Sequence, residues 1–139
     1  MHLSRATDIA LRVLMLAAAK NRQLTIDHLA TTMNVPHNHV AKVVQRLQRE
    51  GLVTTTRGRN GGVWVPAEAR KVTVGQVVRR FEGESEVVEC EAPPCPLQRS
   101  CRLRAALARA QEAFFASLDG VPLEDLLARP TGPILLSLP

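Results

Sequence analysis

Three cysteines lie within one twelve-residue stretch, at Cys90, Cys95 and Cys101, and the chain has no others. Three thiols cannot form a closed set of disulfides, and this proline-rich loop holds them too close together for a useful cross-link. Zinc usually takes thiolates in pairs two residues apart, whereas the gaps here are four and five residues and no histidine lies nearby. Iron-sulfur clusters tolerate such gaps because ligand loops must reach round an inorganic core. The spacing favours a cluster, with zinc or a surface loop of spare thiols as alternatives.

The composition indicates one modest globular unit with a basic charge balance. A chain of 139 residues, 45% of them hydrophobic, can bury a single core. Eighteen Lys and Arg against 13 Asp and Glu give a net charge of +5, which favours polyanionic partners. Aromatic residues make up only 3%, which argues against stacking on single-stranded bases. The longest apolar run, 13–19, is too short to cross a bilayer, and no signal-peptide pattern is present, so we expect a cytoplasmic protein without a membrane partner.

Three helices are predicted before residue 51. Apolar residues recur at helical spacing over 7–20, with Ser4 or Thr7 available as N-cap, and again over 26–33. Pro36 then suits the first position of a third helix, which the glycine at position 51 ends. Because the break between the second and third helices is short, the pattern predicts a helix-turn-helix.

The third helix separates an apolar stripe from a polar face, as a DNA recognition helix must. The polar face supplies candidate DNA contacts at Asn38, Lys42, Gln45 and Arg49, with His39 and Arg46 on its flank. Asparagine and glutamine can pair with adenine edges, while lysine and arginine meet guanine edges or phosphates. Any solvated surface helix carries a similar face, so this pattern alone does not establish DNA binding.

A β-hairpin is predicted directly after these helices. Two β-branched segments, 52–56 and 63–65, flank an Arg-Gly-Arg-Asn-Gly-Gly turn. Arg57 and Arg59 at its tip are placed to enter a minor groove or bind phosphates. The order helix, helix, helix, hairpin is that of a winged helix-turn-helix, so the predicted fold is mainly α with a small two-stranded wing. This order makes DNA binding a better explanation of the arginines than a decorative hairpin.

Beyond the wing, a fourth helix is predicted from Thr73 to a stop at Gly83, and a long helix over about 100–119. The long helix carries a narrow apolar seam of coiled-coil type, formed by Leu103, Leu107, Ala110, Phe114 and Leu118. Such a helix usually pairs with its own copy, which predicts a homodimer on a palindromic site. The alternative is that it folds back on the first helix.

The remaining segments complete the expected organisation. Residues 121–127 are predicted to form one short helix, and the proline-punctuated tail, 130–139, is expected to be irregular. The chain is therefore divided into a winged DNA-binding domain (1–83), a cluster-binding loop (84–102) and a dimerisation helix with C-terminal tail (103–139).

With these elements in order, the chain resembles the iron-sulfur winged-helix transcriptional repressors, and among them the nitric-oxide-sensing members. The likeness covers nearly the whole length and rests on residues 3–12, on Gly-Arg-Asn-Gly-Gly at 58–62, and on the segments 87–90, 95–97 and 101–103 around the cysteines. The resemblance implies a homodimer that binds double-stranded operator DNA while a 4Fe-4S cluster is intact. It also implies that the DNA is released when nitric oxide attacks the cluster.

The resemblance also implies the cluster ligands. Cys90, Cys95 and Cys101 would supply three of them, and Asp8 matches the first-helix carboxylate that supplies the fourth from the other subunit in some members. Taken from the residues alone, Asp8 is explained by the helix dipole, which favours a carboxylate in the first turn. A metal-ligating Asp8 is thus an expectation from the family likeness.

A 2Fe-2S redox-sensing or cluster-homeostasis regulator of the same fold is the alternative. Related 2Fe-2S members use a histidine near the loop or on the first helix, but position 12 is Arg and the loop has no His. The four histidines, all in the DNA-binding half, are expected at the surface or facing DNA: His2, His28, His37 and His39. We do not expect an enzyme, because no nucleophile elbow or phosphate loop is present. A pure electron carrier would not need a winged helix.

Overall fold

Three helices open the fold in the computed structural model, which describes residues 2–83 and 85–139. Their bounds are Arg5–Lys20 (α1), Ile26–Met33 (α2) and His37–Arg49 (α3). The Ser4 hydroxyl caps α1 by accepting the Thr7 backbone N–H at 3.2 Å. The predicted helix-turn-helix is confirmed, although α1 begins before Thr7 and α3 begins one residue after Pro36.

The hairpin after α3 is antiparallel, with strand bounds Thr54–Thr56 (β1) and Gly62–Trp64 (β2). Leu24 extends this small sheet through two backbone hydrogen bonds with Val63, of 2.9 and 2.8 Å. A Cβ at Gly62 would stand 2.9 Å from the Leu24 carbonyl oxygen, so only glycine permits this close approach. The predicted wing is confirmed and is anchored to the segment between α1 and α2.

Two further helices flank the cysteine loop, with bounds Val74–Glu82 (α4) and Arg102–Asp119 (α5). The Thr73 hydroxyl accepts the Gln76 backbone N–H at 3.1 Å, and the Gln76 side chain accepts the Thr73 N–H at 3.0 Å, which is a capping box at the start of α4. The C-terminal half of α5 packs on α4, where Phe115 meets Val74 and Val78. The long helix therefore folds back chiefly on α4, with Leu11 of α1 at the edge of this contact.

The core is built around α1, which packs against α3, α4 and the C-terminal segments. Val13, Leu14 and Leu16 of α1 are fully buried, as are Val40 and Leu47 of α3. These residues are the apolar stripes that the sequence pattern placed on the inner faces of both helices. Burial of these stripes fixes the polar face of α3 outward.

The C-terminal tail differs from the expectation of irregular structure. A 3-10 turn over Leu123–Leu127 is followed by a seven-residue helix, Thr131–Ser137 (α6), which packs on α1. Pro133 is tolerated because it lies in the first turn of α6, where its missing N–H has no helical partner. At the C-terminal end of α6, the Leu136 carbonyl accepts a hydrogen bond of 3.1 Å from the Lys20 ammonium. Packing on α1 thus stabilises a helix in a segment whose prolines suggest an irregular backbone.

Among the helices of the described ranges, none is both long and apolar enough to cross a membrane.

Candidate DNA-reading face and cysteine loop

The outer face of α3 presents four of the predicted DNA contacts to solvent. Asn38, Lys42, Gln45 and Arg49 are exposed, and their spacing of four, three and four residues aligns them on one face. The Asn38 side chain also accepts the His39 backbone N–H at 3.0 Å, at the start of the helix. This face offers amide and cationic groups of the kind that read base edges and bind phosphates.

His39 and Arg46 are placed differently, because both turn towards the protein. The Arg46 guanidinium lies 4.3 Å from the centroid of the Phe81 ring and donates to the Arg80 carbonyl oxygen at 2.5 Å. The Nδ1 of His39 is enclosed and has no hydrogen-bond partner within the described residues. The arrangement gives Arg46 a role in joining α3 to the end of α4.

The wing carries Arg57 and Arg59 at its tip, and both are exposed. Between them, Gly58 adopts φ +102°, a conformation that glycine reaches at little cost and that turns the chain sharply. Neither arginine has a side-chain hydrogen bond or ion pair to any part of the chain that the structure describes. Both guanidinium groups are therefore available to a polyanion.

The three cysteines share the loop between α4 and α5, and all three are half-buried and free of disulfides. The Cys95 backbone N–H donates to the Cys90 carbonyl at 3.0 Å, which folds the first half of the loop back on itself. Cys101 stands at the N-cap of α5, where its sulfur accepts the Arg104 N–H at 3.4 Å. The Cys101 sulfur therefore lies at the positively polarised end of the α5 dipole.

Glu89 organises the start of the loop. Its carboxylate accepts the backbone N–H groups of Glu91 at 2.7 Å and Ala92 at 3.2 Å. These hydrogen bonds hold the pKa of Glu89 below its usual value, with Glu91 the larger contributor. At the adjacent Cys90, partial burial raises the pKa of the thiol, while the positive charge of Arg104 opposes that rise.

Arg104 holds the two ends of the loop against the first turn of α5. It makes a two-pronged ion pair with Glu86, with both N···O distances at 2.6 Å, and it donates to the Gln98 carbonyl at 3.3 Å. The Gln111 side chain adds a hydrogen bond of 2.8 Å to the Ser85 carbonyl. Two-pronged arginine-carboxylate pairs fix orientation as well as distance. Arg104 and Glu86 were not predicted from the sequence, where only the one-turn separation of Arg104 from Cys101 hints at a link.

Asp8 lies in the first turn of α1 and forms an ion pair with Arg12 at 2.9 Å, with about half of its side chain exposed. Within the described residues, no three His, Cys, Asp or Glu side chains are arranged to hold a metal ion. One copy of the chain therefore does not bring the three loop thiols together as a ligand group, either by themselves or with Asp8.

The donor chemistry of the loop nevertheless fits an iron-sulfur cluster. Cys90, Cys95 and Cys101 are soft sulfur donors, and no histidine occurs between them. Three thiols leave one iron of a four-iron cluster without a cysteine ligand. Within the described residues, no histidine joins a group of side chains that could hold a metal ion. His37 pairs with Asp27 at 3.2 Å, and the Nε2 of His28 is enclosed in the DNA-binding half.

The chain is similar to known transcriptional regulators over nearly its whole length. The family model described as Rrf2, iron-dependent transcriptional regulator, matches residues 3–129. The chain is 49% identical to the HTH-type transcriptional repressor NsrR of Streptomyces coelicolor, over 99% of this chain and 96% of that protein. It is 43% identical to protein aau3 of Rhizobium meliloti, over 99% of this chain and 93% of that protein.

Solved structures share the fold. The global cysteine regulator CymR of B. subtilis superposes with a TM-score of 0.70 at 26% identity, covering 91% of this chain and 95% of that one. IscR of T. potens gives a TM-score of 0.70 at 18% identity, covering 91% and 86%. The matching family model, NsrR and CymR are all described as regulators, in accord with the expectation that this chain is not an enzyme. The chain belongs to the Rrf2 family of iron-dependent transcriptional regulators.

Proposed function

We propose that the chain is a repressor that binds operator DNA while its cysteine loop holds a 4Fe-4S cluster, and that it releases the DNA when nitric oxide attacks the cluster. The observation that carries this proposal is the set of three half-buried thiols in one loop leading into α5. It is supported by 49% identity, over 99% of the chain, to a protein named as the repressor NsrR. When bound, the cluster would supply iron that reacts with a diatomic gas.

The three thiolates would be the loop's contribution to the cluster, and Arg104 would keep them in place. Its ion pair with Glu86 and its hydrogen bond to Gln98 tie both ends of the loop to the helix that begins just after Cys101. Partners of metal ligands that fix ligand orientation commonly govern how tightly the metal is held.

Asp8 of a second copy is the proposed fourth ligand. Its carboxylate is partly exposed and, within the described residues, its side chain bonds only to Arg12. A carboxylate oxygen is a hard and exchangeable ligand on iron, so the iron it binds would be the one most open to nitric oxide.

A homodimer would bring that second copy into place. The N-terminal part of the α5 seam is uncovered by the chain itself, because Leu103 is 63% exposed and Ala110 is exposed, whereas the C-terminal part packs on α4. Pairing of α5 with its own copy would bury these side chains and present two α3 helices to the two halves of a palindromic operator. The polar face of α3 would enter the major groove, with Arg57 and Arg59 at the minor groove or the phosphates.

The test is operator binding in three states of the protein. A duplex selected from a random-sequence library by anaerobically purified protein serves as the probe, and its affinity is measured for cluster-loaded, nitric-oxide-treated and cluster-free protein. We expect tight binding only by the cluster-loaded form. Equal affinity in all three states would refute the proposal. The matched control is Cys95→Ala, whose binding should not respond to nitric oxide.

A further inference from the structure

The last turn of α4, residues 80–82, contacts two other helices and leads into the cysteine loop. On one side it meets α3 through Arg46, and on another it meets the start of α1 through Glu82. Directly after it, Gly83 ends the helix with φ +77°, and the chain continues into the cysteine loop. This turn, which we call the α4 joint, thus contacts the recognition helix and the first helix and is followed directly by the cysteine loop.

The contact with α3 is specific to a guanidinium group. Arg46 stacks at 4.3 Å on the ring of Phe81, which is itself 6% exposed, and it donates to the Arg80 carbonyl. Arg80 returns the contact by donating to the Glu50 carbonyl at 3.2 Å, just past the end of α3. A lysine could not provide both the planar stacking and the directed hydrogen bond.

The contact with α1 is equally directed. One carboxylate oxygen of Glu82 accepts the Ser4 backbone N–H at 2.7 Å and the hydroxyl of Thr7, which is fully buried. Burial alone would raise the pKa of Glu82, but the hydrogen bonds from Thr7 and Ser4 outweigh it and leave the pKa below the usual value. The carboxylate therefore holds the N-terminus of α1 as an ionised group.

We propose that the α4 joint transmits the state of the cysteine loop to the recognition helix, with Arg46 and Glu82 as its positioning residues. Arg46 acts on DNA affinity by fixing the angle of α3 against α4, not by touching DNA. Glu82 fixes the same turn to α1, whose first turn carries Asp8. This inference rests on the proposed function, because it needs a loop whose state changes.

The test compares Arg46→Met with Arg49→Met. Arg49 lies one turn later on the exposed face and makes no side-chain hydrogen bond or ion pair within the described residues. Affinity for the library-selected duplex is measured over a salt series, for cluster-loaded and cluster-free protein. Arg46→Met should lower affinity about tenfold in the cluster-loaded form only, with the salt slope unchanged. Arg49→Met should weaken both forms and reduce the salt slope by about 1, as expected for a lost phosphate contact.

Two further variants keep the test decisive if Arg46→Met folds poorly. Arg46→Lys retains the charge. If Arg46 contacted a phosphate, this variant would recover the affinity that Arg46→Met loses, whereas we expect no recovery because lysine cannot form the α4 joint. Glu82→Gln should also reduce the ratio of cluster-loaded to cluster-free affinity while leaving the salt slope unchanged.

Several outcomes would overturn the inference. A reduced salt slope for Arg46→Met, or full rescue by lysine, would make Arg46 a DNA contact. An unchanged affinity ratio in Arg46→Met and Glu82→Gln would show that the joint transmits nothing. A wild-type ratio near one would instead remove the proposed function itself, so the two failures are distinguishable.

Discussion

The DNA-binding half and the cysteine loop are held together in different ways. In the part of the chain from α1 to α4, apolar side chains such as Leu14 and Leu47 are completely buried. No residue from 85 to 101 reaches that degree of burial, and Leu97 in the loop is 64% exposed. The loop depends instead on hydrogen bonds and the Arg104–Glu86 ion pair. The DNA-reading surface is therefore set by hydrophobic packing, whereas the loop leaves its thiols free to be organised by a bound group.

The largest effect should come from removing a loop thiol. Cys90→Ala, Cys95→Ala and Cys101→Ala should each abolish the cluster, because a three-thiol set has no spare ligand. Iron and sulfide analysis of anaerobically purified variants measures this loss. The thermal unfolding of the cluster-free forms should match that of cluster-free wild type, since none of the three side chains is part of the core. Unchanged iron content in all three variants would contradict the assignment.

Substitution of a core residue should instead lower the stability of the fold. Leu14→Ala should destabilise the cluster-free protein by about 2–5 kcal/mol, because it removes a fully buried side chain and leaves a cavity. Val87→Ala, at a loop position that is 43% exposed, should change stability by less than about 0.5 kcal/mol. Urea unfolding measures both. Similar losses for the two variants would mean that the loop is as tightly packed as the core.

Substitution of Arg104 should have an intermediate effect, on how tightly the loop retains the cluster. Arg104→Met removes the ion pair to Glu86 and the hydrogen bond to Gln98, so we expect about tenfold faster loss of the cluster to a chelator. Arg109→Met, at an exposed position further along α5, is the matched control and should behave as wild type. Equal rates for the two variants would show that the ion pair does not organise the loop.

Asp8→Ala should have the smallest effect, since one exchangeable ligand is lost while three thiolates remain. We expect weaker cluster retention and an altered response to nitric oxide, both followed by visible absorbance. Asp27→Ala is the control, because Asp27 also lies in a helical first turn and interacts favourably with the helix dipole. If the two variants behaved alike, Asp8 would be no more than a dipole residue.

Most of the fold follows from local sequence signals. Apolar periodicity and capping residues predict α1 to α4. At the start of α4, for example, Thr73 and Gln76 form a capping box. The helix α6 was missed because its prolines suggest irregular backbone, while its stability comes from packing on α1 and from Lys20 at its C-terminal end. Long-range contacts of this kind cannot be predicted from the local pattern of apolar residues.

The candidate site is only partly readable from sequence for the same reason. Spacing identifies the three cysteines and the outer face of α3, since both are local patterns. It cannot indicate that Arg46 stacks on Phe81, 35 residues further along the chain, or that Arg104 pairs with Glu86. Such pairs depend on how helices pack, and helical position alone places Arg46 on the flank of the polar face as a candidate DNA contact.

The decisive experiment measures the iron and sulfide content of anaerobically purified protein together with its affinity for the selected duplex. We expect brown protein with about four iron and four sulfide per chain, as against two of each for a 2Fe-2S cluster, and tight binding that is lost on titration with nitric oxide. Colourless, iron-free protein that still bound the duplex tightly would contradict the proposed function.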